Sequence, residues 1–482
     1  SLDRRVAVST LRVGVVLAST TQPAWVCHVL EHIRAAHQLT AIVFANDAAP
    51  EREPLVARWF HRIDRLLYGR KPDGLTPRDA APLLAGLPPT GAVDVWLAFV
   101  PYTSTAGEVW IIERDGLWEF ATRQPTMHAR IRAGNRVLAS TSAMPDAISY
   151  RRAMSRLGWR IAAMIEQQLD RRASTSTPTT EAEPRQVRTV SNARMLRTAL
   201  SSAASYVLQQ YRDRFTHLQW SLAFTFDGSL DFRRFHRIVP PPDRLWADPF
   251  VVADGDRAWI FLEELVYAED RGVISVLEVR RDGSWSPPRR ILERPYHLSY
   301  PCVIRWNGEW YMLPETHENR AIELYRCIEF PYRWEPDTVL MRDVSAVDAT
   351  LFEHSGRWWM YYATDSGDAA GFDRLWLFHA PTPRGPWTPH RWNPLECNVA
   401  GGRPAGRPFL RDGKLLRAGQ DGAPWYGHAM RLRELVTLTP DEWEEREVAT
   451  ILPDWTAGII GTHTLNVDGP VAVVDAVQRL RR

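Results

Sequence analysis

Apolar and polar residues in the first third of the chain alternate between two periods. Leu11 to Ala18 is a short β-rich apolar run, and Pro23 to Ala36 sets Trp25, Val29, Ile33 and Ala36 at helical spacing. Leu39 to Ala45 is a second strand-like run, Pro54 to Leu67 a second amphipathic helix, and Val93 to Val100 a third strand. That order predicts a βαβ unit on a parallel sheet. Tyr150 to Leu169 follows with Met154, Leu157, Ile161, Met164, Ile165 and Leu169 along one helical stripe. Residues 1–172 therefore read as an α/β, Rossmann-like domain.

Ala173 to Arg188 holds Ser, Thr, Pro and Glu with almost no apolar content, the composition of an exposed linker. Val190 to Tyr211 reads as a helix, so residues 173–214 are expected to be a linker and connecting helix that docks onto the next domain. From about Phe215 the pattern changes to short strands, aromatics and turn residues. Strand, Gly-containing hairpin and strand recur around Gly255, Gly308, Gly356, Gly413 and Gly469. Their spacing of about 50 residues is that of propeller blades. The Asp-Gly, Asn-Gly and Ser-Gly pairs fit turns with positive φ. The fifth copy ends too near the last residue to complete a blade, and His217 to Phe226 is a spare strand able to close the ring. Residues 215–482 are expected to form an all-β five-bladed β-propeller.

Composition narrows the function. A net charge of +2 over 482 residues gives no footprint for nucleic acid. Cys27, Cys302, Cys327 and Cys397 are scattered, which argues against a disulfide framework or a zinc site and for a reducing compartment. No apolar run reaches the roughly 18–20 residues of a membrane span. The opening residues show no signal-peptide pattern, so a cytoplasmic location is expected. The 21 tryptophans exceed an average composition. They serve β-sheet cores or flat platforms for sugar rings.

The repeat also locates chemistry. In a blade, the start of strand one and the end of strand two lie at the same mouth of the central channel. Strand-one entrances give Asp248, Tyr300, Asp348, Arg407 with Arg403 close by, and His463; strand-two exits give Glu263, Glu264, Glu315, Asp365, Gln420 with Asp421, and Asp475. Acids gathered at one mouth bind a cation, share protons or serve a substrate. Alternatively they accept backbone N–H bonds or pair with Arg403 and Arg407. No metal site is expected, and no cofactor beyond a possible nucleotide-sugar donor.

Trp246-Ala-Asp-Pro-Phe250 and Val347-Asp-Ala-Thr-Leu-Phe352 resemble the Asp-bearing first strands of the five-bladed arabinanase, invertase and levansucrase propellers. That resemblance implies Asp248 as base or nucleophile, Asp348 as an orienting carboxylate, and Glu315 or Glu263 as the acid. A closer resemblance covers nearly the whole propeller. It is carried by Trp246-Ala-Asp-Pro-Phe250, His297-Leu-Ser-Tyr-Pro301, Pro314-Glu-Thr316, Val347-Asp-Ala-Thr350 with Arg357-Trp-Trp359, His390-Arg-Trp-Asn-Pro394, Arg403-Pro-Ala-Gly406 and Gly461-Thr-His-Thr-Leu-Asn466. These segments resemble the N-terminal propeller domain of plant glucosamine inositolphosphorylceramide transferases and its bacterial relatives. In those relatives a formyltransferase-like domain often precedes the propeller, and residues 11–172 resemble it in order and length. The strand end Ala98 to Ser104 lacks the Asn and His that formyl transfer needs, so that chemistry is not expected.

Three functions follow as expectations. The first is glycosyl transfer or cleavage in assembly of an envelope glycan or glycolipid, with Asp248 and Asp348 central. Trp246, Tyr300, Trp310, Trp358 and Trp359 would be sugar platforms, and Arg403, Arg407, Gln420, Asp421 and His463 would bind substrate. The second is a non-catalytic carbohydrate-binding propeller that presents a glycan to a partner enzyme. The third is an N-acyl or formyltransferase-like enzyme with an altered site. Carboxylates about 5–5.5 Å apart indicate retention and about 6.5–9.5 Å inversion. Oligomeric state is not written in the sequence.

Overall fold

The computed structural model describes residues 10–45, 54–89, 91–104, 107–172, 180–181, 188–365 and 372–482. The chain forms two compact units that divide near Gln210.

The N-terminal unit contains the expected βαβ order. Strand Arg12–Leu17 pairs in parallel with Gln38–Phe44 on one side and Val95–Ala98 on the other. Helices Ala24–Ala36 and Leu55–Tyr68 fall between them in sequence. Beyond Glu108–Arg114, also parallel, the sheet turns antiparallel through Met127–Ala133, Arg136–Ala143 and Thr180–Glu181. The sheet is therefore mixed rather than doubly wound. Helix Tyr150–Arg172 packs Leu157, Ile161 and Ile165 into a core shared with Val15, Leu30 and Leu97. Most of the expected linker lies outside the described residues; its Thr180–Glu181 portion is an edge strand on the N-terminal sheet. The connecting helix, Asn192–Phe215, packs Met195 into the N-terminal core.

The second unit is a five-bladed propeller. Its blades begin at the inner strands Arg244–Asp254, Ser299–Trp306, Val347–His354, Ala400–Pro404 and Ile459–Gly461. The last two inner strands are split, continuing as Phe409–Arg411 and Leu465–Asp468. Adjacent inner strands pack against one another around the ring. Ring closure is made by Thr216–Thr225, which pairs antiparallel with Val471–Arg481 from Thr216–Arg481 to Thr225–Ala472. The expected spare strand thus completes the fifth blade, removing the two open edges that an unclosed sheet would expose. The hairpin glycines Gly255, Gly308, Gly356, Gly413 and Gly469 all take positive φ.

Candidate active site at the channel mouth

The inner strands share a local irregularity, and in three of them it holds a non-glycine residue at positive φ. Pairing slips between Ala247 and Phe250, between Ser299 and Cys302, and between Val347 and Thr350. Asp248, Tyr300 and Asp348 occupy these bulges with φ of 51°, 45° and 52°. Left-handed backbone costs a non-glycine residue about 1–3 kcal/mol, so the surroundings must hold it there. For two of the three the holding group is an acid from the preceding blade. Asp475 Oδ2 accepts the Asp248 amide at 3.3 Å, and Glu315 Oε2 accepts the Asp348 amide at 3.0 Å. Asp348 is also pinned from behind. The Gly406 amide donates to the Tyr300 hydroxyl at 2.6 Å, Tyr300 lies 2.9 Å from the Thr350 hydroxyl, and Thr350 donates to the Asp348 carbonyl at 2.9 Å.

The two aspartates differ in their side-chain partners. Asp348, 1 % exposed at its side chain, accepts Arg403 Nε, Arg403 Nη2 at 3.3 Å and Gln420 Nε2 at 2.9 Å. Burial pushes its carboxyl up to about 6, and Arg403 restrains the rise. Asp248 has no such clamp. Its Oδ1 accepts the Thr464 hydroxyl at 2.8 Å and lies 3.6 Å from His463 Nε2. Burial, reinforced by Asp348, Glu263 and Asp475 against the opposing pull of His463, raises Asp248 to about 8. His463 works the other way. Burial would lower it, but Asp475, 2.5 Å from its Nδ1, and Asp248 hold the imidazolium up to about 9. Its ring stacks on Trp220 with centroids 4.0 Å apart.

Around this centre, Glu263 lies 3.1 Å from His297 Nε2, and Glu315 lies 3.1 Å from His317 Nδ1. Burial lowers His297, but the hydrogen bond and charge of Glu263 outweigh it and leave the ring above its usual value. Tyr426 is 52 % exposed, with its ring 5.1 Å from the Arg403 guanidinium and edge-on to His463. Burial of its hydroxyl end, with Asp248, Asp348 and Glu315 acting against Arg403, holds the phenol well above its usual value. The mouth thus combines a clamped carboxylate, an unclamped carboxyl that titrates near neutrality, two cations and an accessible ring. Such a set can exchange a proton with a sugar oxygen beside a fixed negative charge.

The expected residues divide accordingly. Asp248, Asp348, Glu263, Glu315, Arg403, Gln420 and His463 come together. Arg407 and Asp421 do not join them. Arg407 donates its guanidinium to the Val303 carbonyl at 2.8 Å and its backbone N–H to Asn466 Oδ1 at 2.9 Å, bracing three blades. Asp421 pairs with Arg431 at 2.7 Å and accepts the Ala423 amide. Four of the five expected platforms are buried and closed to a sugar, and the half-buried fifth, Trp310, lies away from the mouth. Trp246 is buried, its N–H reaching Glu264, and Tyr300 is buried in the hydrogen-bond chain above. Trp310 stacks on Phe330 beside the Asn307-Gly308 hairpin, at the end of the blade away from Glu315. Trp358 and Trp359 are buried beside the equivalent hairpin of the next blade. Space within the sheet packing is what the four buried rings fill. Sequence reasoning missed Tyr426, although Trp425-Tyr-Gly427 directly follows a strand-two exit, and missed His297 and His317, each within three residues of a selected position.

Among the described residues, donor atoms of Asp248, His463 and Asp475 lie within 4.8 Å of one another, as do those of His32, His37 and Asp170. In the first group the imidazolium itself supplies the positive charge between the two carboxylates.

With this geometry in place, similarities to known proteins take on meaning. Glucosamine inositolphosphorylceramide transferase 1 of Arabidopsis thaliana is 34 % identical over 211 residues, 43 % of this chain and 28 % of that protein. The same transferase from Oryza sativa subsp. japonica is 32 % identical over 209 residues, 42 % of this chain and 28 % of its own length. The chain therefore spans under a third of these relatives. Among solved structures, a family 117 glycoside hydrolase from Zobellia galactanivorans aligns with TM-score 0.36 at 11 % identity, over 55 % of this chain and 92 % of that one. A GH43_1 enzyme from Xanthomonas citri aligns with TM-score 0.35 at 11 % identity, over 49 % and 87 %. Within the propeller, residues 239–460 match the family described as glucosamine inositolphosphorylceramide transferase 1, N-terminal.

Proposed function

We propose that the propeller mouth carries out glycosyl-group chemistry on a glycolipid or envelope glycan. One observation carries the reading: two buried carboxyls at the same mouth have different surroundings, Asp348 gripped by Arg403 and Gln420, and Asp248 held by the Thr464 hydroxyl with His463 3.6 Å away. Arg403 favours the ionised form of Asp348, while burial favours the protonated form of Asp248, the division of labour that glycosidic chemistry needs. Asp248 gives its proton to the departing oxygen in cleavage and recovers it from the attacking hydroxyl in transfer. Asp348 supplies the fixed negative charge, and Arg403 with Tyr426 lines the approach. These roles differ from those implied by the propeller resemblance, which made Asp248 the base or nucleophile, Asp348 an orienting carboxylate and Glu315 or Glu263 the acid.

The related transferases, by name, join glucosamine to an inositolphosphorylceramide, which makes a phosphoinositol-bearing sphingolipid the first acceptor to offer. The test is incubation of the full chain with that acceptor, or a simple glycoside, and a panel of nucleotide sugars, followed by mass spectrometry of the product. A product that forms with the native chain and vanishes with Asp248→Asn supports the reading. Saturable sugar binding without turnover under every donor supports the second reading, a carbohydrate-binding propeller. That alternative is favoured by the complete side-chain satisfaction of Asp348.

A further inference from the structure

The N-terminal helix Leu55–Tyr68 buries Ala57, Phe60 and Asp64 on one side. On a helix with 3.6 residues per turn, Leu55, Trp59 and Leu66 fall on the opposite side, within one narrow stripe. They are 71 %, 57 % and 70 % exposed. Arg58, Arg62 and Arg65 flank that stripe along one edge, and no ion pair holds any of them among the described residues. Apolar residues facing solvent beside a row of cations are the opposite of an ordinary surface helix, whose apolar stripe faces its own core.

The helix runs directly into a cleft of about 840 Å³ within the same unit, lined by Leu67, Tyr68, Arg70, Lys71, Arg78, Arg152, Arg156 and Trp159 among others. Its one lining carboxylate, Asp73, is occupied by Arg151 at 2.7 Å. Arg152 and Arg156 lean on Asp146, and Arg78 on Glu31, but Arg70 and Lys71 are exposed and carry no ion pair among the described residues. The excess positive charge therefore sits where the apolar stripe ends. The amides at the start of the neighbouring helix Ala24–Ala36 are already taken by the Thr76 and Gly74 carbonyls, so the cleft's attraction for an anion comes from side chains.

We infer that this face docks on an anionic lipid bilayer, with Leu55, Trp59 and Leu66 in the interface and a headgroup phosphate in the basic cleft. An amphipathic helix with Trp and Leu on one face and arginines beside them lies in the plane of a bilayer surface. Clustered cations add binding to anionic headgroups that salt weakens. Among the described residues no helix is long and apolar enough to cross a membrane, so the contact is with the surface. This inference concerns the N-terminal unit and stands or falls separately from the propeller's chemistry.

The experiment is co-sedimentation of the full chain with vesicles of phosphatidylcholine alone or mixed with phosphatidylglycerol, read as bound fraction without any sugar substrate. Binding is expected only to the anionic vesicles and falls with added salt. Arg70→Gln and Lys71→Gln should each weaken it about fivefold, and Trp59→Ser with Leu66→Ser should abolish it while circular dichroism shows the fold intact. Equal binding to neutral vesicles, or no binding to either, overturns the proposal. So does a self-association that Trp59→Ser dissolves, which would make the stripe an interface between copies. Saturable binding of inorganic pyrophosphate with no vesicle binding would likewise overturn it and reassign the cleft to a soluble anion.

Discussion

At the propeller mouth, charged side chains are turned inward and answered. Asp348 meets Arg403 and Gln420, Asp475 meets His463, and Glu315 meets the Asp348 amide. On the N-terminal helix Leu55–Tyr68 the arrangement is inverted, with apolar side chains outward and arginines beside them without ion-pair partners among the described residues. Both arrangements oppose the ordinary sorting of polar groups out and apolar groups in. The inward charges cost desolvation, the outward apolar residues contribute nothing to folding, and each arrangement points to a use. The inward charges set proton affinities; the outward apolar residues await a low-dielectric partner.

The sharpest way to break the comparison is to neutralise one inward charge. Asp248→Asn preserves shape and removes the titrating carboxyl. If the mouth is catalytic, kcat falls about 10³–10⁴-fold, the scale of a general acid–base group, while KM changes little. A variant that retains native turnover removes Asp248 from the chemistry.

Next in size is a buried pair that does not touch Asp248 or Asp348. Arg417 grips Glu445 through Nε at 2.5 Å and Nη2 at 2.6 Å, both side chains almost fully buried. Arg417→Met strands Glu445, a change that usually costs about 3–5 kcal/mol. Arg433, 3.6 Å from Glu445, stays as a second cation and places the loss near the lower end. Urea unfolding of the propeller measures it, and adding Glu445→Leu should recover part of the loss. A loss under about 1 kcal/mol would show that the pair is as weak as a surface one.

Proton linkage separates the two units over pH. Folded Asp248 titrates at about 8 against about 4 in an unfolded chain, so over that window the folded propeller holds the extra proton and loses stability as pH rises. His463, at about 9 against about 6.5 unfolded, contributes stability that is complete below 6.5 and is lost by 9. In the N-terminal unit the buried Glu119, raised to about 7 by burial, has finished the same kind of loss by then. From pH 7 to 9 the propeller's Tm should therefore fall while that of the N-terminal unit holds, and His463→Gln should flatten the slope. Calorimetry in which both transitions move together would refute the assignment.

How much of this was legible in the sequence depends on how local each feature is. The hairpins at Gly308, Gly356 and Gly413 are two-residue events, and the preceding Asn307, Ser355 and Asp412 share their positive φ. The closing strand was legible because a ring short of one strand needs one. Asp248 and Asp348 could be placed by register, and pairing with Arg403 was among the readings offered for these acids; which acid Arg403 meets, and which acid takes each aspartate's amide, was not legible. The contact of Asp475 with the Asp248 amide joins residues 227 apart, across the ring closure. The bulges that turn both aspartates also need the neighbouring blade to hold them. Tryptophans misled for a related reason. Trp246, Trp358 and Trp359 are as apolar as a sugar platform, and only their neighbours decide that they fill gaps between strands.

The smallest expected effect tests the N-terminal side of the comparison. Replacing a buried Trp usually costs about 3–5 kcal/mol, and Trp359→Ala in the propeller should fall in that range. Trp59→Ser should change the Tm of its unit hardly at all, within about 0.5 kcal/mol, because the ring faces solvent and Ser and Trp have nearly equal helix propensity. A large loss would mean that Trp59 packs on the protein in solution, and the stripe would then be part of the fold. A negligible one leaves a large aromatic on the surface that folding does not need, and binding becomes the remaining reason for its place beside Arg58 and Arg62.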